Sequence, residues 1–585
     1  MADTFVDENS VAVDTQVVDT QVVDPPVVAP ILDTPILDTP PETVASETPV
    51  SPRRLSGEAF ETRLVEAIEF VIEETVSPID RWAVAATLES SGLRDIDATE
   101  LFGYVNIFEM ADVVYARIRI ILSEKAVDAE EVEKDGVRTQ VWRFTRLYVQ
   151  GMFFALPMMI QIVAVLALGY ALWAYLRFDE AQATTVAIGT TLSFIVTGGF
   201  VQAIGRLGLF YGEQGAHGLA HRICQRLIIL GMLTAAAVGG AWFTFNMITG
   251  HFPVVTVLIA LIYFFLLSAL WLFMAILYTT QRRFAIIIAP MIGVGVIAIV
   301  FNLTPLGIYA SHWAGLAVTC AISWYWGHRV MSRRAKTVKG EKLLAVLPRA
   351  SIIAYSVAPY FFYGICYFGF LFLDRMVGWS TADEALPFLI WFRTPYELGL
   401  DWALLCLIFT IALLEYTINA FSEMIIPTQE RFKASDIAGH NKFFQRFYAR
   451  QLVALLIMSV ASGVFVYRAV LWTRRFDQID QVRDFFASPI TFNVFFWGAT
   501  GYSLLVVGLM NGVFFFALSR PFFVLRPIII AIVTSLVVGF VLSRVIDYWW
   551  SVAGMAAGSL VFSILTTRYV IRVLKNLDYY YYSAY

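Results

Sequence analysis

Glu415 is the residue of this chain with the clearest means of doing chemistry. It stands in the middle of a long apolar run, WALLCLIFTIALLEYTINAFSEMIIP, and Asn419, Ser422 and Glu423 follow it at four, seven and eight residues. A helix over this segment carries all four on one face. A carboxylate at the centre of a bilayer costs roughly 2.5–3.5 kcal/mol, so it is tolerated only when protonated, paired or wet. Burial raises a carboxyl pKa toward neutrality, which makes Glu415, with Asn419 and Glu423 beside it, a candidate substrate or coupling site. The plainer reading is a structural hydrogen bond to a neighbouring helix. Gln161, Gln202, Arg206, Asn511 and Arg526 are further polar groups at or near membrane depth. Arg206 and Arg526 suit an anionic substrate, because a guanidinium fork matches phosphate, or they are snorkelling anchors. Asp374 and Arg375 close a second apolar run, YGICYFGFLFLDRMVGW, as an adjacent acid and base: a candidate gate, or a charged helix end.

Other chemistries find little support in the residues. There is no G-x-x-x-x-G-K-[ST] phosphate loop, and no nucleophile with a recognisable base, so neither an ATP engine nor an enzyme is expected. Cys224, Cys320, Cys366 and Cys406 show no C-x-x-C spacing and no histidine pair at metal spacing, so neither a disulfide framework nor a metal or cofactor site is read. The net charge of −5 gives no reason to propose a nucleic-acid partner.

The elements that must position these groups follow from hydrophobicity. Of 585 residues, 58% are hydrophobic and 15% charged, far more apolar than one soluble core requires, so lipid is the solvent for most of the chain. Runs long enough to cross a bilayer fall near 148–176, 183–204, 226–248, 254–280, 284–303 and 306–327, then, after a basic break, near 351–373, 402–426, 451–473, 489–518, 522–543 and 548–571. These are numbered spans 1 to 12. The predicted fold is an all-α integral membrane protein with about twelve transmembrane helices in two six-helix lobes, residues 141–350 and 351–585.

Matching landmarks relate the two halves as a parallel repeat. Span 5 opens with Arg283 and has Pro290 seven residues on; span 11 opens with Arg520 and has Pro527 seven residues on. Pro157 and Pro359 lie in spans 1 and 7, and basic loops follow spans 2 and 8. Such repeats are an architecture of transporters with a cavity between lobes. Ahead of the spans, residues 1–56 repeat short Pro-, Asp-, Val- and Thr-rich motifs and read as a disordered tail without the apolar core of a signal peptide. Residues 57–140 show helical periodicity and read as a small cytosolic helical domain that packs or docks.

The features together resemble a known superfamily. Prolines in spans 1 and 7, Asp-Arg at the end of span 7, and a span 8 that ends at Pro427 before an amphipathic basic loop with Asp-x-x-Gly (SEMIIPTQERFKASDIAGHNKFFQRFYAR) make residues 146–575 similar to the multidrug/oligosaccharidyl-lipid/polysaccharide flippase superfamily, in particular its polysaccharide exporter branch. The resemblance implies an alternating-access carrier of the bacterial inner membrane that moves a polysaccharide or lipid-linked oligosaccharide through a cavity lined by spans 1, 2, 7 and 8. It also implies possible polysaccharide synthase and glycosyltransferase subunits as partners of the N-terminal domain. The long N-terminal extension departs from the common pattern, and span 1 lacks the acidic residue of many drug antiporters. A cation-coupled multidrug antiporter and a scaffold subunit of a polysaccharide synthase are the alternatives.

Orientation follows from the cytoplasmic excess of Lys and Arg. Loops after even-numbered spans, with the C-terminal end, carry 22 basic residues against eight for the loops after odd-numbered ones, which puts both termini in the cytoplasm. A reporter that fluoresces only in the cytoplasm, fused after Tyr585, is expected to light up. Activity of a periplasm-only reporter at that position would overturn this arrangement.

Overall fold

In the computed structural model the described residues are 57–75, 78, 80–132, 137–337, 349–381, 390–431, 437–473, 475 and 488–582, and they are overwhelmingly helical. The tail of residues 1–56 lies outside them. Ten helices among the described residues are long and apolar enough to cross a membrane. Val137–Leu168 and Ile308–Thr337 occupy the positions of spans 1 and 6 and complete the set of twelve.

The spans are Val137–Leu168, Glu180–Glu213, His217–Thr249, Val254–Thr279, Arg283–Leu303 and Ile308–Thr337 in the first lobe, and Ala350–Trp379, Thr394–Arg431, Ile437–Thr473, Pro489–Ala517, Phe522–Val545 and Ser551–Lys575 in the second. Two of them depart from expectation. Span 1 stops at Leu168 instead of 176, because Gly169 adopts a left-handed φ of +84° and residues 169–176 form a tight turn closed by Leu176 N donating to the Gly169 carbonyl at 2.9 Å. Span 8 starts at Thr394 instead of 402, with Pro395 in its first turn, and is interrupted at Leu405 and Cys406 before resuming at Leu407.

The two halves pack in the same pattern, which bears out the parallel repeat. Span 2 lies on spans 3 and 4, span 4 on span 6, and span 5 on spans 1 and 6; correspondingly, span 8 lies on spans 9 and 10, span 10 on span 12, and span 11 on spans 7 and 12. The lobes meet along two seams, span 2 on span 7 and span 1 on the second half of span 8. Glycine lets the backbones approach there. A Cβ on Gly198 of span 2 would stand 2.8 Å from the carbonyl of Gly364 on span 7, and one on Gly151 of span 1 would stand 2.8 Å from Cβ of Glu415. Outward faces are apolar at helical spacing, as with Ile229, Leu230 and Leu233 on span 3 or Ile529, Val533 and Val537 on span 11. Stripes of that kind are stable only against lipid.

A separate small unit precedes the bundle. Helices α1 (Glu58–Thr75), α2 (Arg81–Ser90) and α3 (Ile107–Val132) enclose their own core of Leu64, Ile68, Val71, Leu88, Met110 and Val114. Asp80 caps α2 by accepting from Ala83 N at 2.9 Å. Arg117 of α3 grips Glu61 of α1 through two bonds of 2.7 and 3.1 Å, which hold that carboxyl below the usual carboxylate range.

The seam generates a stability prediction. Gly364→Val forces span 7 away from span 2 and is expected to cost about 1–3 kcal/mol as overpacking, whereas Gly205→Ala, where an added Cβ meets nothing within 4 Å, is expected to be silent. Thermal unfolding of the two purified variants checks this, and equal melting would remove the close approach from the account.

Candidate functional site

The polar centre of the bundle lies at the far end of the second lobe, away from the end where span 1 begins. Arg375 is about one turn from the end of span 7 and only 9% exposed. Its Nη1 makes an ion pair with Glu397, itself 5% exposed, in the first turn of span 8. The other carboxylate oxygen of Glu397 accepts from Trp379 Nε1 at 2.9 Å, and Trp379 is one turn beyond Arg375 on the same helix. Asp374 is buried beside them and accepts from Tyr396 Oη at 2.7 Å. Tyr502 of span 10 stands next to the guanidinium. Arg375 Nη2 lies 3.8 Å from Asp401, one turn after Glu397. One guanidinium thus has three carboxyl groups around it, and they differ in surroundings: Asp374 and Glu397 are enclosed, while the Asp401 side chain is 57% exposed.

Asp401 is the exposed member of this group. From Pro395 to Phe421 it is the one residue that is exposed; all the others are buried or half-buried. Span 1 packs on the second half of span 8, and the first half of span 8, which carries Asp401, packs on span 10. The end of span 7 is fixed by Arg544 of span 11, whose guanidinium donates to the carbonyls of Val377 and Ser380, both at 3.0 Å, as a side-chain cap.

The residues singled out in the sequence are dispersed. Glu415 is half-buried on the seam with span 1, and Asn419 Nδ2 donates to its backbone carbonyl at 2.9 Å. The side chains of Ser422 and Glu423 lie outside the described residues. Gln161 Oε1 accepts from Leu172 N at 2.9 Å and pins the turn after span 1. Gln202 packs its stem at the Gly198–Gly364 approach. Arg206 bridges the lobes at the near end: Nη2 donates to Ser519 Oγ at 3.0 Å, and its guanidinium lies over Tyr360 at 5.2 Å. Asn511 is fully buried within the second lobe, accepting from Tyr448 Oη at 2.8 Å and donating to Thr566 and Thr567, both at 3.0 Å. Arg526 is exposed, on the same stripe of span 11 as Phe522, Ile529 and Ile530. The structure therefore brings Asp374 and Arg375 together with Glu397 and Asp401, which sequence reading missed. The signal was present: Thr394-Pro395 begins a helix, and carried on through TPYELGLDWALL it places Glu397 and Asp401 one turn apart.

An aromatic wall continues from this site across the seam. Phe194 of span 2 stacks on Trp271 of span 4 at 4.2 Å and faces Phe368 and Phe372 of span 7 at 5.1 and 5.3 Å, and Arg375 lies over Phe372 at 5.7 Å.

Solved structures place this arrangement. An outward-facing multidrug resistance MATE family transporter of the MOP superfamily superposes with a TM-score of 0.52 at 14% identity, over 74% of this chain and 96% of that one. The chain has the MATE fold. The Vibrio cholerae MATE transporter VcmN matches with a TM-score of 0.53 at 12% identity, over 76% and 99% of the two chains. A MOP superfamily transporter from Pyrococcus furiosus, for which a binding pocket of reverse polarity suggested a different function, matches at 0.51 and 13%, over 74% and 96%. No family model matches the sequence, and no curated protein is significantly similar to it. The MATE fold accounts for the two lobes and their seams.

Removing one partner of the enclosed pair strands the other in low dielectric. Arg375→Leu is expected to cost about 3–5 kcal/mol and to reduce accumulation in membranes, with Glu397→Gln much milder because it leaves a hydrogen-bonding side chain in place. Melting temperatures and membrane yields of the two variants check the order. The reverse order would show that the pair is not what holds spans 7 and 8.

Proposed function

We propose that the chain is an alternating-access membrane transporter driven by a cation gradient, with Asp401 as the carboxyl group that exchanges protons. The observation that carries this reading is the position of Asp401, exposed within an otherwise enclosed helix and 3.8 Å from a buried guanidinium. When ionised, Asp401 competes with Glu397 for Arg375; when protonated, it leaves Arg375 to Glu397 alone. Each protonation step therefore changes the force between spans 7 and 8 in a low-dielectric setting, where a unit charge counts for several-fold more than in water. Glu415, at the seam between span 1 and span 8, is a further carboxyl on the same helix and would respond to how the lobes meet.

An organic cation as substrate is supported by the exposed carboxyl of Asp401 and by the aromatic rings of Phe194, Phe368 and Phe372, which connect to it through Arg375 over Phe372. The saccharide reading rested on the repeat, the basic loop after span 8 and cationic groups near the cavity, of which Arg206 and Arg526 are the two named arginines. Arg206 is engaged with Ser519 and Tyr360, and Arg526 lies on the lipid-facing stripe, so neither supports it. The inner membrane of a bacterium, with both termini cytoplasmic, is the setting proposed for this activity.

Proteoliposomes carrying the full chain, given a pH gradient and a fluorescent organic cation, test the proposal. Wild-type protein is expected to drive uptake. Asp401→Asn and Glu415→Gln are expected to lower it at least about tenfold at matched protein level, since a side chain that cannot titrate loses the tenfold change in protonation per pH unit that drives the step. Wild-type uptake by Asp401→Asn would remove that residue from the mechanism. Wild-type vesicles that ignore the cation and move a lipid-linked saccharide would return the substrate to the saccharide class.

A further inference from the structure

The first lobe holds a histidine pair that the transport reading does not use. Span 3 begins at the near end with His217, His221 and Gln225, each one turn after the last, so they form one ridge. Span 6 ends at the same end with Trp324, His328 and Ser332 at the same spacing. The ridges face each other where spans 3 and 6 pack. His221 Nε2 stands 3.4 Å from His328 Nδ1, and the Gln225 amide nitrogen stands 3.2 Å from that same Nδ1.

Three polar atoms converge here with a spacing that fits a metal ion between them. A direct hydrogen bond between ring nitrogens is expected nearer 2.7–3.2 Å, so 3.4 Å is long for one. Two nitrogens each about 2.0–2.1 Å from a tetrahedral zinc ion stand about 3.3–3.4 Å apart, which is the separation present. A half-turn of the Gln225 amide, whose two ends have the same shape, brings its oxygen to the place of the nitrogen as a third ligand. The fourth position is left to water.

The surroundings prepare the His328 ring for this role. Ser332 Oγ lies 3.3 Å from its Nε2; in the tautomer that carries its proton on Nε2, Ser332 accepts that N–H and Nδ1 is unprotonated on the side of His221. Trp324 stacks on the ring at 5.3 Å and 9°, fixing its plane. The neighbouring arginines turn elsewhere: Arg222 Nε donates to the carbonyl of Gly218 at 3.4 Å, Arg334 Nη2 donates to the carbonyl of Thr280 at 3.2 Å, and Arg329 donates to Tyr325 Oη.

From this geometry we infer that His221 and His328, with Gln225, form a site for a divalent transition-metal ion of the zinc class, which clips span 3 to span 6 at the near end of the first lobe. The site is independent of the carboxylates around Arg375 and of what the chain transports. Its two histidines are 107 residues apart, so no local spacing in the sequence could show it.

Purified full-length protein, stripped with chelator and titrated with zinc chloride, tests the inference by calorimetry and by melting temperature. Saturable binding of one zinc ion per chain is expected, with a rise in melting temperature. Ser332→Ala is expected to weaken binding about 10–100-fold, His221→Ala and His328→Ala to weaken it more, and His217→Ala, outside the convergence, to leave it unchanged. Binding retained in the His221→Ala/His328→Ala double variant, or none in the wild type, would overturn the site. Cobalt substitution of the wild-type protein gives a readout that needs no variant to fold: an intense tetrahedral ligand-field spectrum supports the site, and the weak spectrum of six-coordinate cobalt speaks against it.

Discussion

A guanidinium enclosed in an apolar helix bundle has to be paired at its own depth, and this requirement organises the second lobe. Arg375 sits near the end of span 7 and is only 9% exposed. Its partner must come from a helix that starts close by and runs back through the same layer. Span 8 meets the condition because Thr394-Pro395 begins it early enough to bring Glu397 into its first turn. Trp379 then takes the remaining oxygen of Glu397, and Tyr396, the residue before Glu397, takes an oxygen of Asp374. Five side chains from two helices thus set the register between spans 7 and 8. That register in turn permits the next contact outward: Gly399, two residues after Glu397, lies so close to span 10 that an added Cβ would stand 2.6 Å from the Thr491 carbonyl.

The two lobes repeat one packing pattern with different chemistry inside it. In the first lobe, contacts such as Tyr263 with His312 at 2.8 Å and Gln161 with the Leu172 backbone at 2.9 Å join neutral groups, and the guanidinium groups of Arg206 and Arg334 donate to a hydroxyl and a backbone carbonyl. In the second lobe the polar contacts include the Arg375 ion pairs. Neutral hydrogen bonds have little reason to change with a proton gradient, whereas a guanidinium shared among carboxyl groups does. Under the proposed transport function, this asymmetry puts the response to a gradient in the second lobe. The first lobe follows through the two seams, where Gly198 and Gly151 leave no side chain between the backbones to absorb a shift.

The architecture was legible in the sequence because hydrophobic run length and the order of prolines and basic loops are properties of the chain itself. The departures have local physical causes. Gly169 ends span 1 although apolar residues continue past it, since hydropathy does not register a backbone in the left-handed region. Asp374 and Arg375 were visible as an acid and base at a helix end, but Glu397 and Asp401 read as loop because a window ranked by apolarity begins at Trp402, after both acids. Asn511 and Glu415 were equally conspicuous as polar residues in apolar runs. Sequence cannot separate them, because what distinguishes a satisfied structural asparagine from a carboxyl on a lobe seam is the neighbouring helix. Asn511 finds Tyr448, Thr566 and Thr567 there; Glu415 finds Gly151.

The interruption of span 8 bears on how its two acidic positions work. Fourteen residues of helix separate Asp401 from Glu415, about 21 Å along an unbroken axis, so they cannot contact one bound ion together. Between them the helix breaks at Leu405 and Cys406, and the carbonyl of Cys406, where the second segment begins, also accepts from Ser462 Oγ of span 9 at 2.7 Å. The break is therefore anchored to a neighbour at its centre. On one side of the anchor, the segment with Asp401 packs on span 10 and pairs with Arg375; on the other, the segment with Glu415 packs on span 1 of the opposite lobe. A change of charge at Asp401 acts on the first segment, and a change in how the lobes meet acts on the second. A helix jointed and anchored between the two positions lets each adjust without breaking the hydrogen bonds of the other, which a continuous helix of the same length would not allow.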